Sequence, residues 1–187
     1  MALRIRLYNE KDKPFMKKLM LDSFHGDKRQ IDGFFENVLP DCVCYIATVS
    51  KLPVGAVYLV PSEPENDKTF LVYAAAIEKQ HRRCGYFTAM MKSIFAKYPD
   101  YSFVLKTDSE DSRSICKNLG MEPAFKYTYV ENRKPIATPS STNMIIREVS
   151  DDEYIESRRI AVEKYGGHTW IDSFMRLGLK RIRECGA

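Results

Sequence analysis

The segment AAAIEKQHRRCGYFTAMMKSIF, residues 74–95, joins an apolar run to a short basic turn with one glycine and then to apolar residues at helical spacing. That order predicts a strand, a turn and a helix. The first N–H groups of such a helix have no intrahelical partner and carry a partial positive charge, which suits a phosphate or pyrophosphate. Gly85 lets the main chain approach a ligand with no Cβ in the way, and Arg82 and Arg83 add full charges that can meet phosphate oxygens. The same residues equally make an ordinary strand–turn–helix connection with a solvated basic edge. Both readings stand on these residues alone.

Around this segment the elements alternate. LRIRLY (3–8) reads as a half-buried strand, and Asp12 and Pro14 open a helix whose apolar positions are Phe15, Met16, Leu19, Met20 and Phe24. RQIDGFFENVL carries Ile31, Phe34, Phe35 and Val38 at helical spacing. CVCYIATV and VGAVYLV, split by SKLP at 50–53, read as a hairpin without the usual Asn-Gly pair. TFLVYAAAI is the next strand, followed by a helix from about Tyr86 to Tyr98, a short strand SFVLK (102–106), a helix SRSICKNLG (112–120) and a strand AFKYTYVE (124–131). The early hairpin implies antiparallel pairing, and the later strand–helix alternation implies parallel crossovers.

Composition sets the outer limits. The chain has 187 residues, 44% hydrophobic and 29% charged, as expected of a globular domain. The net charge of +4 is too small to point to nucleic acid, although its sign suits an anionic ligand. No apolar run approaches the roughly 20 residues of a membrane span, and MALRIRLYNEKDK lacks the blocks of a secretory signal, so a cytoplasmic protein is expected. The five cysteines, at 42, 44, 84, 116 and 185, show no metal-clip or redox spacing and read as reduced thiols, with no metal site expected. Cys42 and Cys44, two apart in a strand, should share one face.

Arg82-Arg83-Cys84-Gly85-Tyr86-Phe87, led in by Ile77-Glu78-Lys79-Gln80-His81, resembles the Arg/Gln-x-x-Gly-x-Gly/Ala motif of the GNAT acetyltransferases, with Phe87 where the family has a small residue. SRSICKNLGME resembles the family's later motif, a short helix ending in Leu-Gly-Phe, here Leu119-Gly120-Met121. The order of elements over residues 1–131 is similar to the family's as well. The resemblance implies an α/β (α+β) fold with a mixed, mostly antiparallel central sheet of about six to seven strands flanked by helices.

It also implies acetyl-CoA as cosubstrate. Ile77 and its neighbours would offer main-chain groups to the pantetheine arm. Arg82 and the N–H groups of Arg83, Cys84, Gly85, Tyr86, Phe87 and Thr88 would hold the pyrophosphate, with the acyl carbonyl where the fourth and fifth strands splay apart. The reaction implied is direct attack of an amine on the thioester, which calls for a base, an oxyanion stabiliser and an acid for the leaving thiolate. Where many relatives place a tyrosine acid this chain has Cys116, a thiol able to donate a proton or a small inward-facing residue of its helix. TFLVY lacks the glutamate base that some relatives carry. Glu78 and His81 are the nearest titratable groups, Glu78 either a base acting through water or a solvated carboxylate. Tyr73, Tyr127 and Tyr129 are further candidates, or core aromatics.

On this basis residues 1–149 form the acetyltransferase domain. TNMIIREV (142–149) would supply its last strand. Residues 150–187 form a two-helix extension that packs on the core, makes a lid or contacts a second copy in a homodimer. It opens with a capping box, Ser150 with Glu153, and IIREVSDDEYIESRR also echoes IRLYNEKDKPFMKK near the start. Acceptors in view are a small-molecule amine, a peptide or a protein lysine, with no nucleic-acid or membrane partner. The alternative function is a binding module that keeps the acyl-CoA cradle without turnover.

Overall fold

The computed structural model describes residues 2–24, 27–63, 68–107, 109–124 and 147–185. The chain order is β1 (Leu3–Leu7), α1 (Lys13–Phe24), α2 (Lys28–Asn37), β2 (Val43–Val49), β3 (Leu52–Glu63), β4 (Thr69–Ile77), α3 (Tyr86–Phe95), β5 (Ser102–Val104), α4 (Glu110–Asn118), α5 (Asp151–Tyr165), β6 (Thr169–Trp170) and α6 (Asp172–Cys185). The sheet runs β1-β2-β3-β4-β5, antiparallel except for the parallel β4–β5 pair. It is the mixed, mostly antiparallel sheet expected from the sequence. The expected strands over 124–131 and 142–149 lie almost wholly outside the described residues, and Arg147–Val149 belong to no helix or strand.

Each face of the sheet is covered by helices whose apolar spacing selects it. Met16, Leu19 and Met20 of α1 and Ile31, Phe34 and Phe35 of α2 pack, with Val38, on Cys44, Ile46, Ala56 and Tyr58. On the other face Met90, Met91 and Ile94 of α3 pack on Tyr45, Val57, Leu59 and Phe70. Each such side chain contributes about 1.5–3 kcal/mol on burial, so packing rather than intrinsic propensity holds these short helices. Cys44 and Cys42 do share a face, and burial pushes the Cys42 thiol up to about 12 and Cys44 up likewise. Both stay protonated and inert.

The β2–β3 hairpin closes through Ser50 and Lys51, with φ of 50° and 69°. Positive φ at both central residues is the signature of a type I′ turn, here reached without the usual Asn-Gly. The predicted helix over 86–98 ends at Phe95, and the one over 112–120 is shifted to Glu110–Asn118, with Ser109 as its cap.

Two helix starts share one design. Asn9 caps the turn before α1, Asp12 closes the capping box, and Arg6 grips Asp12 with two hydrogen bonds of 2.7 and 2.8 Å. Ser150 caps α5, Glu153 closes its box, and Arg147 grips Glu153 at 2.9 and 3.3 Å. In both, the cap follows the arginine by three residues and the acid follows the cap by three. The arrangements differ in burial, since the Asp12 side chain is 8% exposed and that of Glu153 is 48% exposed.

The extension is anchored to the core. The region beyond Gly166-Gly167 is not one helix, because Thr169 and Trp170 form β6 and pair with Glu63 and Ser62 where β3 outruns β2. Phe174 and Leu177 of α6 pack against the α1–α2 core, and Arg159 of α5 bridges Glu63 and Asp172 at 2.8 and 2.5 Å.

Candidate active site

Strand β4 carries the geometry on which the site depends. β5 pairs with it only at Thr69, Phe70 and Leu71, while β3 stays paired as far as Ile77. Among the described residues, the β5-side edge of β4 is therefore open beyond Leu71. A bulge lies at the same level: Tyr58 faces Ala74 and Leu59 faces Val72, which leaves Tyr73 as the extra residue. A bulge bends its strand and raises its twist, and this one lies just beyond Leu71, the last residue of β4 that pairs with β5. It also shifts the side-chain alternation. Phe70 and Val72 face α3 before it, Ala75 and Ile77 after it.

The main chain of the open edge is available to a ligand. Glu78 N–H donates to the Val54 carbonyl at 2.8 Å, so the alternation of an antiparallel ladder turns the N–H groups of Ile77 and Ala75 and the carbonyl of Ala75 away from β3 and into the gap, while the Ile77 carbonyl is taken up by Arg82. Ala74, Ala75 and Ala76 keep this stretch narrow. A ligand chain can thus lie along β4 as an added half-strand, hydrogen-bonded to its backbone.

Past Ile77 the chain makes a tight turn. Arg83 and Gly85 both hold positive φ, 61° and 75°, and Gly85 is the N-cap of α3 with no side-chain cap bond. The first intrahelical bond is Ala89 N–H to the Gly85 carbonyl at 3.0 Å, so the N–H groups of Tyr86, Phe87 and Thr88 point out of the helix end. A Cβ built on Gly85 would meet nothing within 4 Å, which leaves open space before those donors. Tyr86 and Phe87 lean their rings on the α3-side core, so the bulk of Phe87 is turned away while its N–H is kept.

The structure distributes the other candidate residues unevenly. Arg82 turns back, Nε donating to the Ile77 carbonyl at 2.9 Å and one terminal nitrogen donating to Ser23 Oγ at 3.2 Å. Cys84 is exposed, its thiol 3.5 Å from the Arg82 carbonyl. Glu78 accepts from Gln80 Nε2 at 2.9 Å, and His81 Nδ1 lies 3.3 Å from it without the alignment of a hydrogen bond. The Glu78 carboxylate is thus occupied within its own turn. Cys116 sits near the end of α4, where its carbonyl accepts from Leu119 and Met121 around the left-handed Gly120, and burial raises its thiol above the ordinary value. Tyr127 and Tyr129 lie outside the described residues.

Tyr73 gains most from the structure. Its ring stacks on Phe34, centroids 4.9 Å apart, and meets Phe174 edge-on at 5.0 Å. Tyr73 is a candidate from the sequence, but the bulge that sets it apart has no local signal, because a bulge is fixed by the pairing of two strands. The three alanines that follow are the one trace a sequence reader could use.

No family model matches the chain, and a search of curated proteins finds no match. Solved structures do match. The aminoglycoside 6'-N-acetyltransferase AAC(6')-Ih from Acinetobacter baumannii superposes with a TM-score of 0.55 at 11% identity, over 72% of this chain and 100% of that one. The ribosomal-protein-alanine N-acetyltransferase from Brucella melitensis biovar Abortus 2308 gives 0.53 at 19% identity, over 70% and 99%. The aminoglycoside N-acetyltransferase AAC(6')-Iy, solved with CoA, gives 0.57 at 14% identity, over 71% and 96%. At these identities the likeness is one of fold: this chain has the fold of the GNAT acetyltransferases.

Proposed function

We propose that the protein is an acetyl-CoA-dependent N-acetyltransferase that delivers an acetyl group directly to a primary amine. The observation that carries this reading is the continuous path from the open edge of β4, over Ala75 and Ile77, to the outward N–H groups of Tyr86, Phe87 and Thr88 beside Gly85. Its two halves fit the two parts of coenzyme A. The amides of the pantetheine arm match the exposed main chain of β4, and the pyrophosphate matches the positive end of α3. Arg83 supplies charge at the cradle, and Arg82 holds the turn by tying Ile77 to Ser23.

In the proposed reaction the amine lone pair attacks the thioester carbonyl carbon and its electrons move to the carbonyl oxygen. As the tetrahedral intermediate collapses the C–S bond breaks, the nitrogen loses a proton to a base or to water, and the departing thiolate takes up a proton. No covalent enzyme intermediate is required. Main-chain N–H groups of the open β4 edge are suited to the oxyanion. We assign the proton for the thiolate to Cys116, whose raised pKa keeps the thiol protonated near neutrality. Glu78, held by Gln80, would act only through water.

Calorimetric titration with acetyl-CoA, paired with a thiol-release assay over a panel of primary amines, tests the reading. Binding with amine-dependent release is expected. Binding without release from any amine would favour a non-catalytic acyl-CoA module, a reading prompted by the absence of a glutamate from TFLVY and of a tyrosine at position 116. Absence of acetyl-CoA binding would reject both.

A further inference from the structure

The appended helix α6 builds a second wall beside β4. Asp41, just past α2, accepts from Ser173 Oγ at 2.7 Å, and the space beside Gly33 is filled by Leu177, 3.4 Å from a Cβ built there. These two contacts run in opposite chain directions, so α2 and α6 lie antiparallel. Between them is a groove of about 400 Å³ whose lining includes Tyr73, the bulge residue at the level where β5 leaves β4. The groove therefore reaches the sheet where the thioester of the proposed cosubstrate would lie.

Its charge is mixed. The walls carry three basic side chains, Arg29, Lys180 and Arg181, and three acidic ones, Asp32, Glu36 and Glu184. Asp32 is already neutralised by Lys17 at 2.6 Å, and Arg29 lies 3.6 Å from Asp27. Lys180, Arg181, Glu36 and Glu184 have no ion pair among the described residues. A channel for a polycation would be acidic throughout, whereas this one offers both signs. Arg181 lies one turn beyond Leu177, on the face of α6 turned toward α2, and its exposed side chain lines the groove together with Tyr73.

We propose that the α2–α6 groove admits the acceptor, and that Arg181 selects an amine that also bears a carboxylate. The inference rests on the acetyltransferase reading and narrows its acceptor to amino acids and related amino-carboxylates. The carboxylate pairs with Arg181, and the amine, one or two bonds away, is left beside Tyr73 and the open edge of β4. Arg181 is a specificity-determining residue here and takes no part in the bond changes. A guanidinium–carboxylate pair in a partly enclosed groove supports a preference of about tenfold to a hundredfold.

The test compares the standard L-amino acids with their carboxamides as acceptors, following thiol release from acetyl-CoA. At least one amino acid should be turned over, with kcat/KM at least about tenfold above that of its amide. Arg181→Gln should erase the difference by lowering the acid's value, while leaving the amide's value and acetyl-CoA affinity unchanged. Equal turnover of acid and amide, preference for the amide, or a uniform loss for both in Arg181→Gln would overturn the proposal. So would failure of every amino acid in a protein that still binds acetyl-CoA by calorimetry, a result that leaves the cosubstrate reading intact. Loss of acetyl-CoA binding by the unmodified chain would instead strike the reading beneath it.

Discussion

Arg82 reaches back across its own turn and donates through Nε to the carbonyl of Ile77 at 2.9 Å. The bond closes the corner between the open β4 edge and the start of α3, and the second contact, to Ser23, ties that corner to α1. The arginine thus shapes the proposed cradle rather than only adding charge to it. Arg82→Ala should weaken acetyl-CoA binding about tenfold, the effect of losing one charge-assisted hydrogen bond. Arg82→Gln, the other residue that the GNAT motif accepts here, retains a donor and should lose less. Calorimetry on both variants decides the point, since a pure charge effect would make them equally weak.

Gly85 separates backbone strain from ligand exclusion. Its φ of 75° disfavours any side chain, yet a Cβ there meets only open space. Gly85→Ala should cost about 1–2 kcal/mol of stability while the variant still binds acetyl-CoA. Gly85→Gln and Gly85→Glu carry the same strain and similar volume, so the difference between them isolates charge. Titration should show residual binding for Gln and none for Glu, whose carboxylate would face the pyrophosphate. Equal binding by the two would mean that no phosphate approaches the helix end.

Whether a feature is legible in the sequence depends on the range of the interaction that fixes it. Ile31, Phe34, Phe35 and Val38 declare both α2 and its inner face, because helical spacing is local and all four are buried. Gly85 between a strand and a helix is legible for the same reason. The bulge at Tyr73 is not, since it exists only as a mismatch between β3 and β4. β6 has two residues, too few for a periodic signal. The α2–α6 groove joins residues some 150 apart in sequence, Gly33 with Leu177 among them, and no spacing rule connects those positions. Phe87 reads as a defect in the motif. In the folded chain its ring leans on the core, so the bulk that breaks the pattern stays out of the proposed cradle.

The two arginine–acid pairs that open α1 and α5 should respond differently to acid. Asp12 is held below the usual carboxylate range chiefly by its hydrogen bonds to Arg6, and Glu153 is held at about 2 by Arg147. A carboxyl whose folded pKa is depressed stabilises the protein above its unfolded value and loses that contribution as pH falls through the folded one. Both pairs therefore weaken below about pH 4. The Asp12 side chain is nearly buried, so Asp12→Ala should cost about 2–3 kcal/mol at pH 7, and less as pH approaches 2. Glu153→Ala, in an exposed pair screened by water, should cost far less, and salt should remove the part owed to Arg147 while the capping-box bond to Ser150 persists. Urea unfolding at pH 7 and pH 3, with and without salt, measures both. Equal costs would mean that burial does not distinguish one pair from the other.

Cys116 gives the sharpest separation of chemistry from structure. The proposed acid must be protonated when the thiolate leaves, so turnover should fall as pH rises through the thiol's pKa. Burial raises that pKa, which places the alkaline limb of kcat above the ordinary thiol value of about 8.5. Cys116→Ala should lower kcat about tenfold to a hundredfold, remove the limb, and leave acetyl-CoA affinity unchanged. Cys116→Tyr introduces the acid that the resemblance to the GNAT motif implies here and should recover part of kcat with a limb displaced toward the higher tyrosine value. A merely structural thiol predicts another pattern: alanine lowers the unfolding midpoint and leaves the pH profile intact. The carbonyl of Cys116, which closes the end of α4 by accepting from Leu119 and Met121, survives either substitution, so the helix end is preserved while the side chain is tested.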